Sequence, residues 1–410
     1  MTIQGLRLTT NFATDERPKN WREGILLRWP NGKAPLTALT SAMKTRVVDD
    51  AEFNWWEKEL SNRSVALSAT ITAIQTTIAV SSGAYQLKAG DLLWSVQSSE
   101  IMRVSADPSS DTSIPVTRGF ANTTAAAITY NATLVNPNLV VLAAAFEENS
   151  DAPTGINFDP TKIYNYTQII RHTLEASRTA LKTRLRTGDQ AKEAKREVLE
   201  LHSMDMERAF WFGKRNETTI SGKPVRTTMG VLEYLNAYAS SNVIDAVAAT
   251  VNYEYIETQL EAMFRFGSSE KMAFCGNTFL LNLQRTIRKA RGGQLQIIQG
   301  QKEFGMNIQR LVCPFGELVF KTHPLFNNML GGTNAGSLTF HGPSSWCFVL
   351  DMENVQYVHL KDSDTKYQAD LQANGVDGMK SGYLTECALE LHHAKTHFLI
   401  KNLVSSSVES

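Results

Sequence analysis

Apolar positions recur in steps of three and four through Asp189 to Gly213, DQAKEAKREVLELHSMDMERAFWFG, the longest helical pattern in the chain. Ala191, Ala194, Val198, Leu201 and Met204 or Asp205 mark one stripe that a helix is expected to bury. No Gly or Pro interrupts the run, and Ala, Leu, Lys, Glu, Met and Arg dominate it. Asp189 is placed to cap the first turn, and Gly213 to end the last one in a left-handed conformation. At about 1.5 Å per residue the helix is a rod of roughly 35 Å. Three consecutive aromatics, Phe210, Trp211 and Phe212, close it, so one end is embedded and the other more open. That shape suits a strut better than an active-site wall.

Other patterns surround this helix. Residues 1 to about 40 show no sustained period and contain Pro18, Pro30 and Pro35, which reads as an extended arm needing a partner surface. AEFNWWEKEL then places Phe53, Trp56 and Leu60 at helical spacing, with Trp55 beside them. From Ser64 to about Asn136 the chain turns rich in Thr, Ser, Val and Ile. Turn signals recur at Ser82-Gly83, Ala89-Gly90-Asp91, Asp107-Pro108 and Arg118-Gly119, predicting a β module of five to seven short strands. Leu139–Phe146 is a buried strand or helix, and Lys162–Leu174 a long strand. Amphipathic helices follow at Asn252–Phe266 and Asn277–Arg291, with short strands at KMAFCG, QRLVCPF, ELVFKTH, SLTFHG and CFVLD. Tyr383–Leu403 closes the chain as a long strand or strand pair.

Composition narrows the field. The chain has 410 residues, 42% hydrophobic and 20% charged, which predicts two or more folded domains. Lys plus Arg and Asp plus Glu are 41 each, so no global field steers the protein to nucleic acid or membrane, and charge balance favours self-association. The longest apolar run is too short to span a bilayer, and the amino end lacks a signal-peptide core. Cys275, Cys313, Cys347 and Cys387 form no CxxC pair and read as buried free thiols in a reducing compartment.

Candidate chemistry is sparse. There is no GxxxxGK[ST], HExxH, GxSxG or GxGxxG motif. His392, His393 and His397 cluster, but the neighbouring apolar residues point to core or interface imidazoles rather than metal ligands. The glycines of RKARGGQLQIIQGQKEFG do not lead from a strand into a helix and read as a loop, not a phosphate cradle. Seven Lys or Arg between Arg178 and Arg196 face only Asp189 and Glu193; they form either a solvated or intersubunit ion-pairing face or a patch facing nucleic acid. No cofactor, metal or catalytic residue is expected.

Four segments in order resemble the major capsid proteins of tailed bacteriophages. They are PLTALTSAMKTRVVDDAEFNWWEKEL, with Phe53 and Trp55 as its anchor; Asn165–Arg171 followed by Ser177–Ala180; Glu207–Gly213 leading to Thr228-Met229-Gly230; and TECALELHHAKTHFLIKNL. The resemblance implies an α+β fold of the Hong Kong 97 type, divided into an N-terminal arm (1–64), an extended loop carrying the β module (65–137), a peripheral domain with the spine helix (138–224 and 346–403), an axial domain (225–345) and a tail (404–410). It implies a non-enzymatic virion subunit that forms hexamers and pentamers of an icosahedral head around double-stranded DNA, assembled in the bacterial cytoplasm. Portal, scaffolding and decoration proteins are further partners of that setting, and a membrane is not. About 35 residues precede the first motif, too few for a fused scaffolding segment. Phe53, Trp55 and Trp56 are the candidate arm anchors between subunits, and Arg178, Lys182, Arg184 and Arg186 candidate ionic or DNA-facing contacts. Phe210, Trp211 and Phe212 are the candidate hinge of the spine. The alternative is a decoration or tail-tube protein that binds partners through the β module; a hydrolase built from distant residues is the third reading.

Overall fold

The computed structural model describes residues 44–58, 63–130, 138–183, 190–246, 251–289, 296–298, 302–303, 306–307, 309–327, 332–333, 339–340 and 342–403. The arm up to residue 43, the Asp189 cap, Arg184, Arg186, most of the glycine-rich stretch and the tail 404–410 lie outside the described residues. The architecture is α+β, in two compact units, Met1–Trp55 with Ile163–Ser410 and Trp56–Lys162.

The first described strands are β1 (Thr45–Val48) and β2 (Glu52–Glu57). The expected helical spacing of Phe53, Trp56 and Leu60 is not what forms. Aromatic residues favour a pleated, half-buried strand, and a period of two puts Phe53 and Trp55 on one face. Both are buried, with rings stacked at 6.1 Å, whereas Trp56 is 61% exposed.

The second unit is a small antiparallel barrel of β3 (Ser64–Ala66), β4 (Thr77–Ala79), β5 (Asp91–Ser95), β6 (Ile101–Val104), β7 (Ser113–Phe120) and β8 (Asn138–Ala144). The sheet order is β3-β8-β5-β6-β7-β4. Its two ends meet: Leu67 bridges Val80, the Ser68 amide donates to the Ala79 carbonyl at 3.1 Å, and the Ser81 amide to that of Ala66 at 2.9 Å. Closure leaves no free edge for a stray strand to pair with. Alternate residues fill the interior, among them Val65, Leu67, Ile78, Leu93, Met102 and Ile114. Gly90 has φ +94°, and a Cβ there would lie 2.7 Å from the Phe146 ring, so this turn requires glycine.

Among the described residues of this unit, Arg118 and Glu100 form an ion pair with both side chains buried. Arg118 grips the Glu100 carboxylate with Nε at 2.8 Å and Nη2 at 2.7 Å, and donates further to the carbonyls of Thr72 and Ala126. Glu100 also accepts from the amides of Gly119 (2.9 Å) and Ala126 (3.1 Å). Burial alone pushes the Glu100 pKa up, but Arg118 and these amides outweigh it and hold the carboxyl below its ordinary value. Arg118→Met leaves a buried carboxylate without its counter-charge and is expected to cost about 3–5 kcal/mol. Hydrogen-exchange protection of β6 and β7 in the whole chain reads that loss, and the double variant Glu100→Leu/Arg118→Met should recover much of it. Undiminished protection in Arg118→Met would show that the pair is not stabilising.

The chain rejoins the first unit through β9 (Thr161–Tyr166), which pairs with β2, and β10 (Gln168–Ser177). The single strand expected at Lys162–Leu174 is thus two, broken at Thr167, whose amide turns to the Ala51 carbonyl at 2.8 Å. After a helical turn at Arg178–Lys182 come α1 (Gln190–Phe212), the hairpin β11 (Asn216–Ile220) and β12 (Lys223–Thr227), α2 (Val231–Tyr238) and β13 (Val243–Asp245). Next are α3 (Tyr253–Phe264), β14 (Glu270–Cys275), α4 (Asn277–Lys289) and β15 (Gln296–Ile298). Two short hairpins, β16 (Lys302–Glu303) with β17 (Met306–Asn307) and β20 (Gly332–Thr333) with β21 (Thr339–Phe340), flank β18 (Gln309–Cys313) and β19 (Gly316–Thr322). The chain closes with β22 (Cys347–Leu350), β23 (Val355–Leu360), β24 (Lys366–Gln368), β25 (Gly378–Leu391) and β26 (Phe398–Lys401).

Two sheets organise this unit. The first runs β1-β23-β25-β10, with β24 also on β25. The second runs β13-β26-β22-β14-β19-β18-β15 and mixes parallel and antiparallel pairs. The boundary expected at residues 345/346 does not follow it, because β22 pairs with β14 and β26 with β22 inside the second sheet. Alternation along β14 divides its faces. Ala273 and Cys275 pack with Ile256, Leu260 and Leu283 of α3 and α4, while Phe274 packs with the end of α1. Lys271, on the α3 side, is buried, and its ammonium donates to the carbonyls of Met263 (2.7 Å), Phe266 (2.7 Å) and Thr396 (2.6 Å). It thereby satisfies carbonyls that the end of α3 leaves open. Burial lowers its pKa to about 8, with Asp351 pulling the other way, so it remains an ammonium at neutral pH.

The stripe expected on α1 is displaced. His202, Met206, Glu207, Phe210 and Trp211 are buried, Leu201 is 49% exposed, and none of Ala191, Ala194 or Val198 is fully buried. Two of the buried positions are polar, so a pattern drawn from apolar residues alone lands beside the true face. Gly213 is likewise not left-handed. Its role is close approach: a Cβ would lie 2.4 Å from the Ala209 carbonyl oxygen and 2.6 Å from that of Thr228.

Candidate assembly surfaces

The aromatic end of α1 is a packed junction. Trp211 has no exposed surface and meets Phe348 at 4.9 Å, Phe274 and Phe326 at 5.2 Å, and His323 at 5.5 Å between ring centroids. Phe210 is also fully buried, and Phe212 is partly buried against Phe326 and Phe348. His323 lies 2.6 Å from Glu207 through Nε2, and its Nδ1 accepts from the Leu325 amide. The same Nε2 lies 3.0 Å from the Trp211 indole N–H, so this ring nitrogen stands between an indole donor and the carboxylate. The expected hinge residues thus sit where α1 meets the second sheet, on the side opposite α3 and α4.

Further along α1, His202 Nδ1 lies 3.0 Å from His172 Nδ1 on β10, and its Nε2 is 2.7 Å from Thr385 Oγ1 on β25. His172 Nε2 is 3.0 Å from Asp205. Burial first, then the neighbouring His172, lowers the His202 pKa to about 4 against the pull of Asp205. In the closing segment His397 is buried, receives the Asp351 amide on Nδ1 and faces the His392 carbonyl through Nε2. Burial pushes its pKa down to about 4; Lys271 adds to that, while Asp351 opposes it. His392 pairs with Glu390 at 2.7 Å, and Glu390 also binds Arg46 of β1 at 2.7 Å. Among the described residues no group of three or more His, Cys, Asp or Glu is arranged to hold a metal ion. No described helix is long and apolar enough to cross a membrane. A cavity of about 30 Å³ lies between α3, α4 and the second sheet, walled by residues such as Ile256, Leu283, Phe320 and Cys347.

The candidate contact residues divide. Phe53 and Trp55 belong to the core of the first unit, so in this chain they anchor its own fold. Trp56 is open to solvent. Arg178 is exposed and pairs with Asp377 at 2.9 Å, and Lys182 is exposed. The remaining exposed apolar surface includes Ile74 (89%), Tyr85, Val96 and Leu142 on the barrel, and Ile169 and Val376 on the first unit.

Among the described elements of the first unit, the β11–β12 hairpin is the most exposed. Ser221 and Gly222 both take positive φ (51° and 74°), the mirror-image turn that suits a two-residue hairpin. The five residues of β11 are all exposed, Ile220 is 58% exposed, and among the described residues the two strands pair only with each other. Sequence reasoning passed over this hairpin, although Ser-Gly between two Thr/Val-rich stretches is a turn signal.

Comparison with known proteins gives these surfaces a setting. The family described as SU10 major capsid protein matches residues 7–404. The major capsid protein of Pseudomonas phage PaMx41 is 25% identical over 401 residues, covering 94% of this chain and 93% of that protein. Among solved structures, the capsid of a native GTA particle aligns with a TM-score of 0.46 at 10% identity, over 95% of this chain and 96% of the other. Microbacterium phage Oxtober96 aligns at 0.41 and 11%, over 94% and 95%. With a family match spanning nearly its whole length, the chain belongs to the SU10 major capsid proteins, a family of structural capsid subunits.

Proposed function

We propose that this chain is the repeating, non-catalytic shell subunit of a phage head, closing into hexamers and pentamers of an icosahedral capsid around double-stranded DNA. The observation that carries the reading is the family match over residues 7–404. The order of elements is consistent with a Hong Kong 97 type subunit. The first sheet with α1 serves as the peripheral domain, the second sheet with α3 and α4 as the axial domain, and the barrel rides on the extended loop. On this reading the subunit resides in the virion after assembly in the bacterial cytoplasm, where portal, scaffolding and decoration proteins meet its outer surfaces. Lys182, which is exposed, serves contacts between copies, while Arg178 is paired with Asp377 of its own chain.

The β11–β12 hairpin is the principal contact in this reading. An isolated two-stranded hairpin is marginal in water, so packing against a second copy supplies what its own fold does not. Purified protein imaged in negative stain should form closed shells or hexamer sheets. Ile220→Asp with Val225→Asp, a surface change of small effect on folding, should leave soluble subunits with an unaltered melting curve. Normal shells from the double variant remove the hairpin from the interface, and stacked rings or tubes from the parent protein overturn the shell reading in favour of a tail component.

A further inference from the structure

All four thiols are buried and free, but their surroundings differ. Cys313 donates to the Gly316 carbonyl at 3.0 Å, and Cys387 lies in the other sheet against Met206 Sδ at 3.9 Å. The remaining two face each other. In the antiparallel ladder of β14 and β22, Cys275 stands directly opposite Cys347. The Gly276 amide donates to the Trp346 carbonyl at 3.2 Å, a bond between the residues flanking the pair. That makes it a non-hydrogen-bonded pair, in which Cα atoms approach to about 4.5 Å and side chains converge. Disulfides accept Cα separations of roughly 4.4–6.8 Å. Both side chains lie in the cluster facing α3 and α4, where the Cys275 thiol donates to the Lys321 carbonyl at 3.7 Å. The cavity bordered by Cys347 gives its sulfur room to rotate toward the perpendicular dihedral that a disulfide needs.

We propose that Cys275 and Cys347 are a latent disulfide site, reduced in a reducing cytosol and closed by a small-molecule disulfide in an oxidising medium. One thiol loses its proton to solvent and attacks the reagent disulfide, releasing one reagent thiolate and leaving a mixed disulfide. The second thiolate then displaces the other reagent thiolate. Two protein thiols are oxidised, one reagent disulfide is reduced, and two reagent thiols leave. Burial holds the Cys347 thiol well above its ordinary pKa, so closure in the native state waits on local opening of the strands. The bond ties β14 to β22 across a loop of roughly seventy residues and restricts the unfolded chain. It needs no partner chain and holds whether or not the protein forms shells.

The test uses full-length protein freed of reductant and exposed to oxidised glutathione, both in the native state with gentle warming and during refolding from urea. Free thiols are then alkylated and peptides mapped without reduction. The expected result is loss of two of the four alkylatable thiols, a linked peptide joining Cys275 to Cys347, and a raised melting temperature that dithiothreitol reverses. Cys275→Ser should lose all three effects, and Cys313→Ser and Cys387→Ser should keep them. The proposal fails if all four thiols still alkylate after both treatments, if glutathione stays attached as mixed disulfides, or if other pairs form.

Discussion

Taking the protein from pH 7 to pH 4 is expected to remove several kcal/mol of folding stability through two buried imidazoles. Folded His202 and His397 accept a proton only near pH 4, whereas in an unfolded chain each does so near the ordinary value of 6.5. The unfolded state therefore binds more protons throughout that window, and stability falls as pH falls through it. At 1.36 kcal/mol per unit, a full shift of this size is worth about 3 kcal/mol for His397, with a contribution of that order or smaller from His202. Each ring has ionisable neighbours that bear on the cost. His172 and Asp205 face His202 from β10 and α1, and Lys271, Asp351 and His392 surround His397. Urea midpoints measured in steps between pH 7 and pH 4 should drop, and His202→Gln with His397→Asn should flatten the decline. An equally steep decline in that double variant would place the acid sensitivity elsewhere. The Glu100 carboxylate loses its proton-free advantage only below its ordinary value of 4.5, so its share falls in a lower window.

These imidazoles mark the limit of what the residue pattern reveals. The helix over Asn252–Phe266 is legible because Asn252 caps it, accepting from the Tyr255 amide at 2.8 Å, and because Ile256, Leu260 and Met263 repeat at helical spacing. The β module is legible because its turns are spelled out in Gly, Pro and Asp. Its closure is not, since the bridge of Leu67 to Val80 joins segments whose own spacing carries no closing signal. AEFNWWEKEL misleads because two adjacent tryptophans satisfy a helical and an alternating pattern at once, and only the tertiary fit decides which forms. The α1 face is misplaced because His202 and Glu207 are buried by partners far away in the chain, His172, Thr385 and His323, which no local pattern announces. The surfaces that serve assembly are harder still. An exposed Ile220 and a buried Trp55 look equally apolar in the sequence, and only exposure separates them.

That separation sets the second large effect. Trp211→Ala is expected to cost about 3–5 kcal/mol, the range for deleting a fully buried large aromatic. The side chain fills the space between Phe274, Phe326, Phe348 and His323, so its removal leaves a void lined by four rings. The substitution also removes the indole N–H that donates to His323 Nε2 at 3.0 Å, beside the fully buried Glu207–His323 pair. Because Trp211 joins the end of α1 to the second sheet, loosening it should also blur the direction of the helix, and shells should fail at temperatures where the subunit remains folded. Trp56→Ala is the matching control: a 61% exposed side chain should change the melting temperature little, so any loss of shells there reports a contact between copies. Thermal melting and negative-stain counts on the two variants distinguish the roles. If Trp211→Ala melts like the parent protein, the junction can repack and the rigidity assigned to α1 is wrong; if both variants assemble normally, neither tryptophan bears on the shell.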